Sequence, residues 1–140
     1  MKEFSSVIEI NAAPDVIWAI ITDAATFPEW EPNITQIEGD IALGEEITIH
    51  TKLSPDRAFS VKVSELIPNE KITWSMGGRF NPLKGSRTFT LTPQDDGTTQ
   101  VVTREVFSGP LFALVSRAIP DLSESFEQFS AALKSRAEGS

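Results

Sequence analysis

Cysteine is absent from the 140 residues, which removes disulfides, thiolate metal sites and cysteine nucleophiles together. Histidine occurs once, as His50, so neither a two-histidine metal site nor an HExxH helix can be built. Neither a metal nor a cofactor is expected. No run of Lys or Arg exists, and 12 basic against 20 acidic residues leave a net charge of −8. An acidic surface repels phosphate backbones, so nucleic acid and anionic membranes are not expected as partners. No segment approaches the ~18 apolar residues of a membrane span, and the opening MKEFSSVIEINAAP lacks the apolar core of a signal peptide. No stable membrane insertion is expected, and the Cys-free chain fits a cytoplasmic location. Repeats, low-complexity tracts and linkers are also missing, so residues 1–140 read as one domain.

What is present is a large aromatic load. Nine Phe and three Trp in a chain that is 40% hydrophobic and 23% charged supply a core and argue against disorder. Residues 2–11 alternate, with Phe4, Ser6, Ile8 and Ile10 on one side, which predicts a strand. Ala13-Pro14-Asp15 then opens a helix, with Pro at its first position and Asp in its positive first turn. Val16, Ile17, Ile20 and Ile21 form its apolar stripe. A second short helix is expected between Asp23 and Trp30, ended by the turn-rich FPEWEPN. From Asn33 to Ser108 strand follows strand. Turn signals separate them at Gly39-Asp40, Ser54-Pro55-Asp56, Pro68-Asn69 and Asp95-Asp96-Gly97. Val115, Ile119, Leu122, Phe126, Phe129 and Leu133 then recur at helical spacing. The stripe keeps phase across Pro120, which predicts one long helix kinked there.

Strands with one apolar and one polar face form an antiparallel sheet covered on one side. The expected fold is α+β: a helix-grip, in which a curved seven-stranded antiparallel sheet wraps around a long C-terminal helix and two short helices follow the first strand. Curvature leaves a gap between sheet and helix, and an aromatic-lined gap is a ligand cavity by default.

Two segments carry a family resemblance. INAAPDVIWAIITDAATFPEWEPNI resembles the opening of the polyketide cyclase/dehydrase and lipid-transport proteins of the START-like, birch-pollen-allergen-like (SRPBCC) superfamily. FTLTPQDDGTTQVVTREVFSGPLF is similar to that group's last two strands and the entry to its long helix. The resemblance implies the same helix-grip fold over the whole chain and an apolar cavity. It transfers no catalytic signature, because the group includes lipid carriers, polyketide cyclases, hormone receptors, ligand-sequestering proteins and activators of a chaperone ATPase.

Strand parity and helix stripe place Trp30, Ile49, Phe59, Trp74, Met76, Phe89, Phe107, Val115, Ile119 and Phe126 around the cavity. Each has a plain alternative as core, and Trp30 as a plug at the end of the sheet. Arg87 and Glu105 are the most informative pair. A hairpin tip at Asp95-Asp96-Gly97 sets Phe89 against Thr103 and Leu91 against Val101. The same register sets Arg87 against Glu105 on the apolar face, where an unpaired charge is costly. They either mark a polar end that orients a ligand's carbonyl or hydroxyl, or form a structural ion pair near the rim. His50 falls on the polar face and takes no role. Asn33 bonds either backbone or ligand, and Gly77-Gly78 is a turn or bulge rather than a phosphate loop.

Three functions fit. The first is a binder of a small hydrophobic molecule: a lipid, a polyketide or an aromatic. The second is a cyclase/aromatase-type enzyme, with Arg87 as electrostatic stabiliser and Glu105 as acid/base. The third is a protein-interaction domain without a ligand. A homodimer is compatible with the wide apolar arc at residues 111–119.

Overall fold

The computed structural model describes residues 2–52, 55–56, 58–76, 84–108 and 122–139. The chain runs β1 (Lys2–Ile10), α1 (Pro14–Ile21), a 3-10 turn (Ala24–Thr26), α2 (Phe27–Trp30), β2 (Ile34–Glu38), β3 (Glu46–Thr51), β4 (Ala58–Ile67), β5 (Lys71–Met76), β6 (Lys84–Pro93), β7 (Thr99–Ser108) and α3 (Ser123–Ala137). The seven strands form one sheet in the order β1-β7-β6-β5-β4-β3-β2, and every neighbouring pair is antiparallel. Strands β2 to β7 are a meander, and β1 closes on the far side of β7. The result is the α+β helix-grip.

Turn chemistry sets the registers. Gly39 and Gly97 take φ of 102° and 89°, and Asn69 takes 64°, a region that Gly and Asn tolerate best. At the β6–β7 tip Asp96 Oδ1 accepts from the Thr98 N–H at 3.0 Å and from the Thr98 hydroxyl at 2.6 Å. The register runs unbroken from Lys84–Ser108 to Pro93–Thr99 and sets Arg87 opposite Glu105. In β4 the pairing shifts between Val63 and Glu65, so a bulge breaks the alternation of this strand. Ser54 of the predicted β3–β4 turn and the Gly77-Gly78 turn lie outside the described residues.

Helix α1 starts as its sequence directs. Pro14 is in the first turn, and Asp15 Oδ1 accepts from the Val16 N–H at 2.9 Å. Its stripe is narrower than expected: Ile17 and Ile21 are buried, Ile20 is half-buried and Val16 is exposed. Val16 lies about a third of a turn from the Ile17–Ile21 face that meets the core. In α3 the buried residues are Phe126, Phe129, Ser130 and Leu133, which continues the predicted stripe. The expected helical segment before it, with Val115, Ile119 and the Pro120 kink, lies outside the described residues. Helix α3 packs mainly on β1. There the Ser6 and Ser130 hydroxyls bond at 2.7 Å, and Lys134 Nζ donates to the Glu9 carbonyl at 3.0 Å.

Candidate ligand site

Because paired strands present the same parity, the concave face is built of cross-strand rows. One row runs Val63, Trp74, Arg87, Glu105 and Phe4 from β4 to β1. The next runs Ile72, Phe89, Thr103 and Ser6. On the other side lie Met76, Gly85 and Phe107. Gly85 is needed there for space, since a Cβ on it would stand 3.2 Å from Met76 Cε and 3.4 Å from the Phe107 ring.

The Arg87–Glu105 pair forms as the register requires. Glu105 Oε2 accepts from Arg87 Nη2 at 2.6 Å and from Nε at 3.2 Å. Both side chains are mostly buried, at 25% and 15% exposure. The guanidinium also lies 4.8 Å from the centre of the Phe126 ring, a contact worth about 0.5–2 kcal/mol. An ion pair on one side and a ring on the other leave Arg87 little rotational freedom.

The other predicted wall residues fall into two buried clusters. In the larger, Trp74 packs edge-on against Phe89 at 5.0 Å, Phe89 meets Phe129 of α3 at 5.4 Å, and Trp30 meets Phe129 at 5.5 Å. Phe27, which the sequence reading did not single out, joins Trp30 at 4.8 Å and Trp74 at 6.0 Å. Ile49 belongs to the same cluster. Rings therefore occupy the space beneath Phe129. The smaller cluster joins Phe4, Phe107 and Phe126, with Met76 and Leu122 packed against it. Arg87 lies at the junction, between Trp74 of one cluster and Phe126 of the other. Phe59 is half-buried opposite Ile49 and is in neither cluster among the described residues. Val115 and Ile119 lie outside those residues.

Four polar groups in this interior were not anticipated. Trp74 is 3% exposed and Thr103 is 2% exposed, and Trp74 Nε1, Thr103 Oγ1 and Trp30 Nε1 are buried with no partner among the described residues. Unpaired buried donors are rare because each forfeits a bond to water. The fourth is Glu31, the residue after α2, which is only 5% exposed. Its Oε1 accepts from the Asn33 N–H at 3.0 Å. Burial raises its carboxyl above the ordinary value of 4.5, while the Asn33 N–H, Arg87 and Lys52 pull the other way. Asn33 has a second bond, from its Nδ2 to Gln128 of α3 at 2.9 Å, so it ties the α2–β2 junction to the covering helix. Parity could not have found Glu31, because it sits in the turn-rich FPEWEPN segment where no period applies.

His50 stays outside, paired with Glu38 at 2.9 Å. It borders a surface depression of ≈420 Å³ with Thr35, Gln36, Thr51, Lys52 and Pro55. A second, of ≈530 Å³, is lined by Pro14, Asp15, Pro68, Asn69, Glu70 and Pro93. Neither contains a predicted site residue. No group of His and acidic residues able to hold a metal occurs among the described residues, and no helix there is long and apolar enough to cross a membrane.

A C-terminal helix laid over a curled antiparallel sheet, with an aromatic interior that holds the Arg87–Glu105 ion pair, defines a START-like helix-grip protein. The chain belongs to the polyketide cyclase / dehydrase and lipid transport family, whose model matches residues 1–138. No curated protein sequence is similar to it. Among solved structures, a START superfamily protein from Mycobacterium smegmatis has a TM-score of 0.71 at 18% identity, covering 97% of each chain. The Zhui aromatase/cyclase from a Streptomyces species has a TM-score of 0.73 at 15% identity, covering 98% of this chain and 93% of its own. The Aha1 dimer from Colwellia psychrerythraea has a TM-score of 0.73 at 19% identity, covering 99% and 98%. At these identities the likeness is one of fold.

Proposed function

We propose that the protein binds a small, largely hydrophobic molecule against its concave face, between the sheet and the C-terminal helical segment. The observation that carries this is the set of buried donors with no partner among the described residues, Trp30 Nε1, Trp74 Nε1 and Thr103 Oγ1, in an interior otherwise walled by rings and by the Arg87–Glu105 pair. A core selected only for packing would fill such positions with Phe, Leu or Val, which leave no polar group stranded. The apolar walls give affinity, and the few polar groups fix orientation. Membership of a family described by lipid transport and by polyketide cyclisation supports a hydrophobic ligand. The Cys-free composition fits a reducing cytoplasm, where we place the protein. Native mass spectrometry of purified protein tests the reading: a co-purified small molecule that shifts the Trp30 and Trp74 indole resonances is expected. A protein that carries none, and whose indole resonances no hydrophobic compound moves, would overturn it.

Cyclase/aromatase-type turnover is the second reading, favoured by the way Arg87 is held. Glu105 and Phe126 fix its guanidinium, and a fixed cation polarises a carbonyl without reorganising. Turnover of a poly-β-ketone chain that fails in Arg87→Gln but not in Arg104→Gln is the expected outcome on this reading.

A further inference from the structure

We propose that the depression between the start of α1, the β4–β5 turn and the end of β6 is a docking site for an arginine-bearing, partly apolar segment of another protein. It shares no residue with the concave-face site. Its ≈530 Å³ are lined by Pro14 and Asp15 of α1, by Pro68, Asn69 and Glu70 of the turn, and by Pro93 of β6. Two features set it apart from an ordinary surface dent. The first is rigidity. Thr99 is fully buried, pairs with Pro93 across the strands, and donates its hydroxyl to the Ala12 carbonyl at 2.7 Å, which ties the entry to α1 to the end of β6. The Leu91 N–H donates to the Glu70 carbonyl at 2.7 Å and ties the turn to β6. The three proline rings cannot rotate. A surface already ordered gives up little entropy on binding. The second feature is apolar exposure. Of the four large hydrophobic side chains exposed among the described residues, two are Val16 and Ile67, at 44% and 41%. They stand next in sequence to Asp15 and Pro68.

Charge and hydrogen-bonding capacity select the occupant. The lining holds two carboxylates and no basic side chain. Proline has no N–H to offer, and the Asn69 amide is the one side-chain donor of the six. Asp15 is partly spent on α1, because its Oδ1 accepts from the Val16 N–H and its charge offsets the positive helix end. Among the described residues Glu70 forms no ion pair, and Lys71 beside it is turned to Glu65 at 3.0 Å. A wall that is apolar and accepts hydrogen bonds fits a group that stacks and donates. A guanidinium is planar and weakly hydrated, and it forks to a carboxylate while its face lies on apolar rings. An ammonium is compact and strongly hydrated, so it loses more water against proline. A second copy of this chain does not supply the group: among the described residues Arg87, Arg104 and Arg136 are paired with Glu105, Glu3 and Glu29. The net charge of −8 draws a basic segment in from a distance.

The test uses the capped peptide Ac-Leu-Arg-Trp-Arg-Leu-NH₂, an analogue with lysine at both basic positions, and an analogue with citrulline, which keeps the shape of arginine and drops its charge. Binding to the full chain is followed by the backbone ¹H–¹⁵N resonances of Val16, Asn69 and Glu70. The arginine peptide should shift all three saturably. It should bind about twofold more tightly than the lysine peptide and about fivefold more tightly than the citrulline peptide. Glu70→Gln should weaken the arginine peptide about threefold and leave the citrulline peptide unchanged. Val16→Ser, at an exposed position, should weaken all three. Glu127→Gln removes an equal charge from the exposed side of α3 and should change binding by less than about 1.5-fold. Equal affinity for the arginine and citrulline peptides overturns the cationic occupant. Equal losses in Glu70→Gln and Glu127→Gln show attraction to net charge alone and overturn the site. Resonances that no peptide moves overturn it as well. A dimer in sedimentation equilibrium that Glu70→Gln dissociates gives the depression to a second copy and overturns the proposal.

Discussion

Arg87 and Glu105 show how a strand position constrains chemistry. They face each other because their hairpin register leaves no alternative, and each is buried enough that losing the other strands a charge. Glu105→Ala should therefore cost more stability than the double change Arg87→Met/Glu105→Ala, by about 1–3 kcal/mol. A double-mutant cycle in urea measures this, and zero coupling would mark the pair as solvated. Glu31 has the opposite signature. Its folded pKa lies above the ordinary 4.5, so the folded state keeps a proton that the unfolded chain has already lost. Stability then falls as pH rises from 4.5 through the raised value. Glu31→Gln does not titrate, so its advantage in melting temperature over the parent should be greater at about pH 7 than at about pH 4. Melts at the two pH values check this, and an unchanged difference would place the carboxyl in water.

At the scale of elements, the sheet was the legible part. Period two in β3, β5, β6 and β7 requires only that one face be buried, and the turn residues then fix which strands meet. That is why the sequence alone assigns Trp74, Arg87, Phe89 and Glu105 to one face. β4 was less legible beyond Val63, because the bulge there leaves no mark on hydrophobicity. Helix α1 exposed Val16 because a stripe read from four residues cannot say which edge of the arc the core will cover. Glu31 and Phe27 were missed for a related reason: a four-residue helix and its exit have no period to read. The β2–β3 connection gives a direct test of turn chemistry. Gly39 has φ of +102°, and a Cβ there would approach the Glu46 carbonyl oxygen to 3.0 Å. Gly39→Ala should destabilise by about 1–3 kcal/mol, whereas Gly97→Ala, with φ of +89° but open space around it, should cost less. Chemical denaturation of the two variants ranks them, and equal costs would show that steric approach adds nothing at Gly39.

For the whole molecule, charge and aromatic content divide the labour. The net charge of −8 sits on an outer surface where Glu3 pairs with Arg104 and Glu65 with Lys71, while the rings of Phe4, Phe27, Trp74, Phe89, Phe107, Phe126 and Phe129 are buried. Duplex DNA at physiological salt should show no change in fluorescence anisotropy on adding the protein, because there is no basic run to release counterions; a saturable rise would contradict this. The closure of the sheet has another consequence, for the order in which the fold can assemble. Strands β2 to β7 each pair with a strand made shortly before or after, but Phe4 of β1 waits for Glu105 of β7. Ser6, Glu9 and Asn11 wait longer still, for Ser130, Lys134 and Glu138 at separations of 124, 125 and 127 residues. At a synthesis rate of ~5–20 residues per second, β1 stays unpaired for roughly 5–20 s before β7 is made. Glu3 and Glu9 keep that strand charged in the interval, which discourages pairing with another chain. The earliest strand of the sheet is thus the one whose pairing completes it.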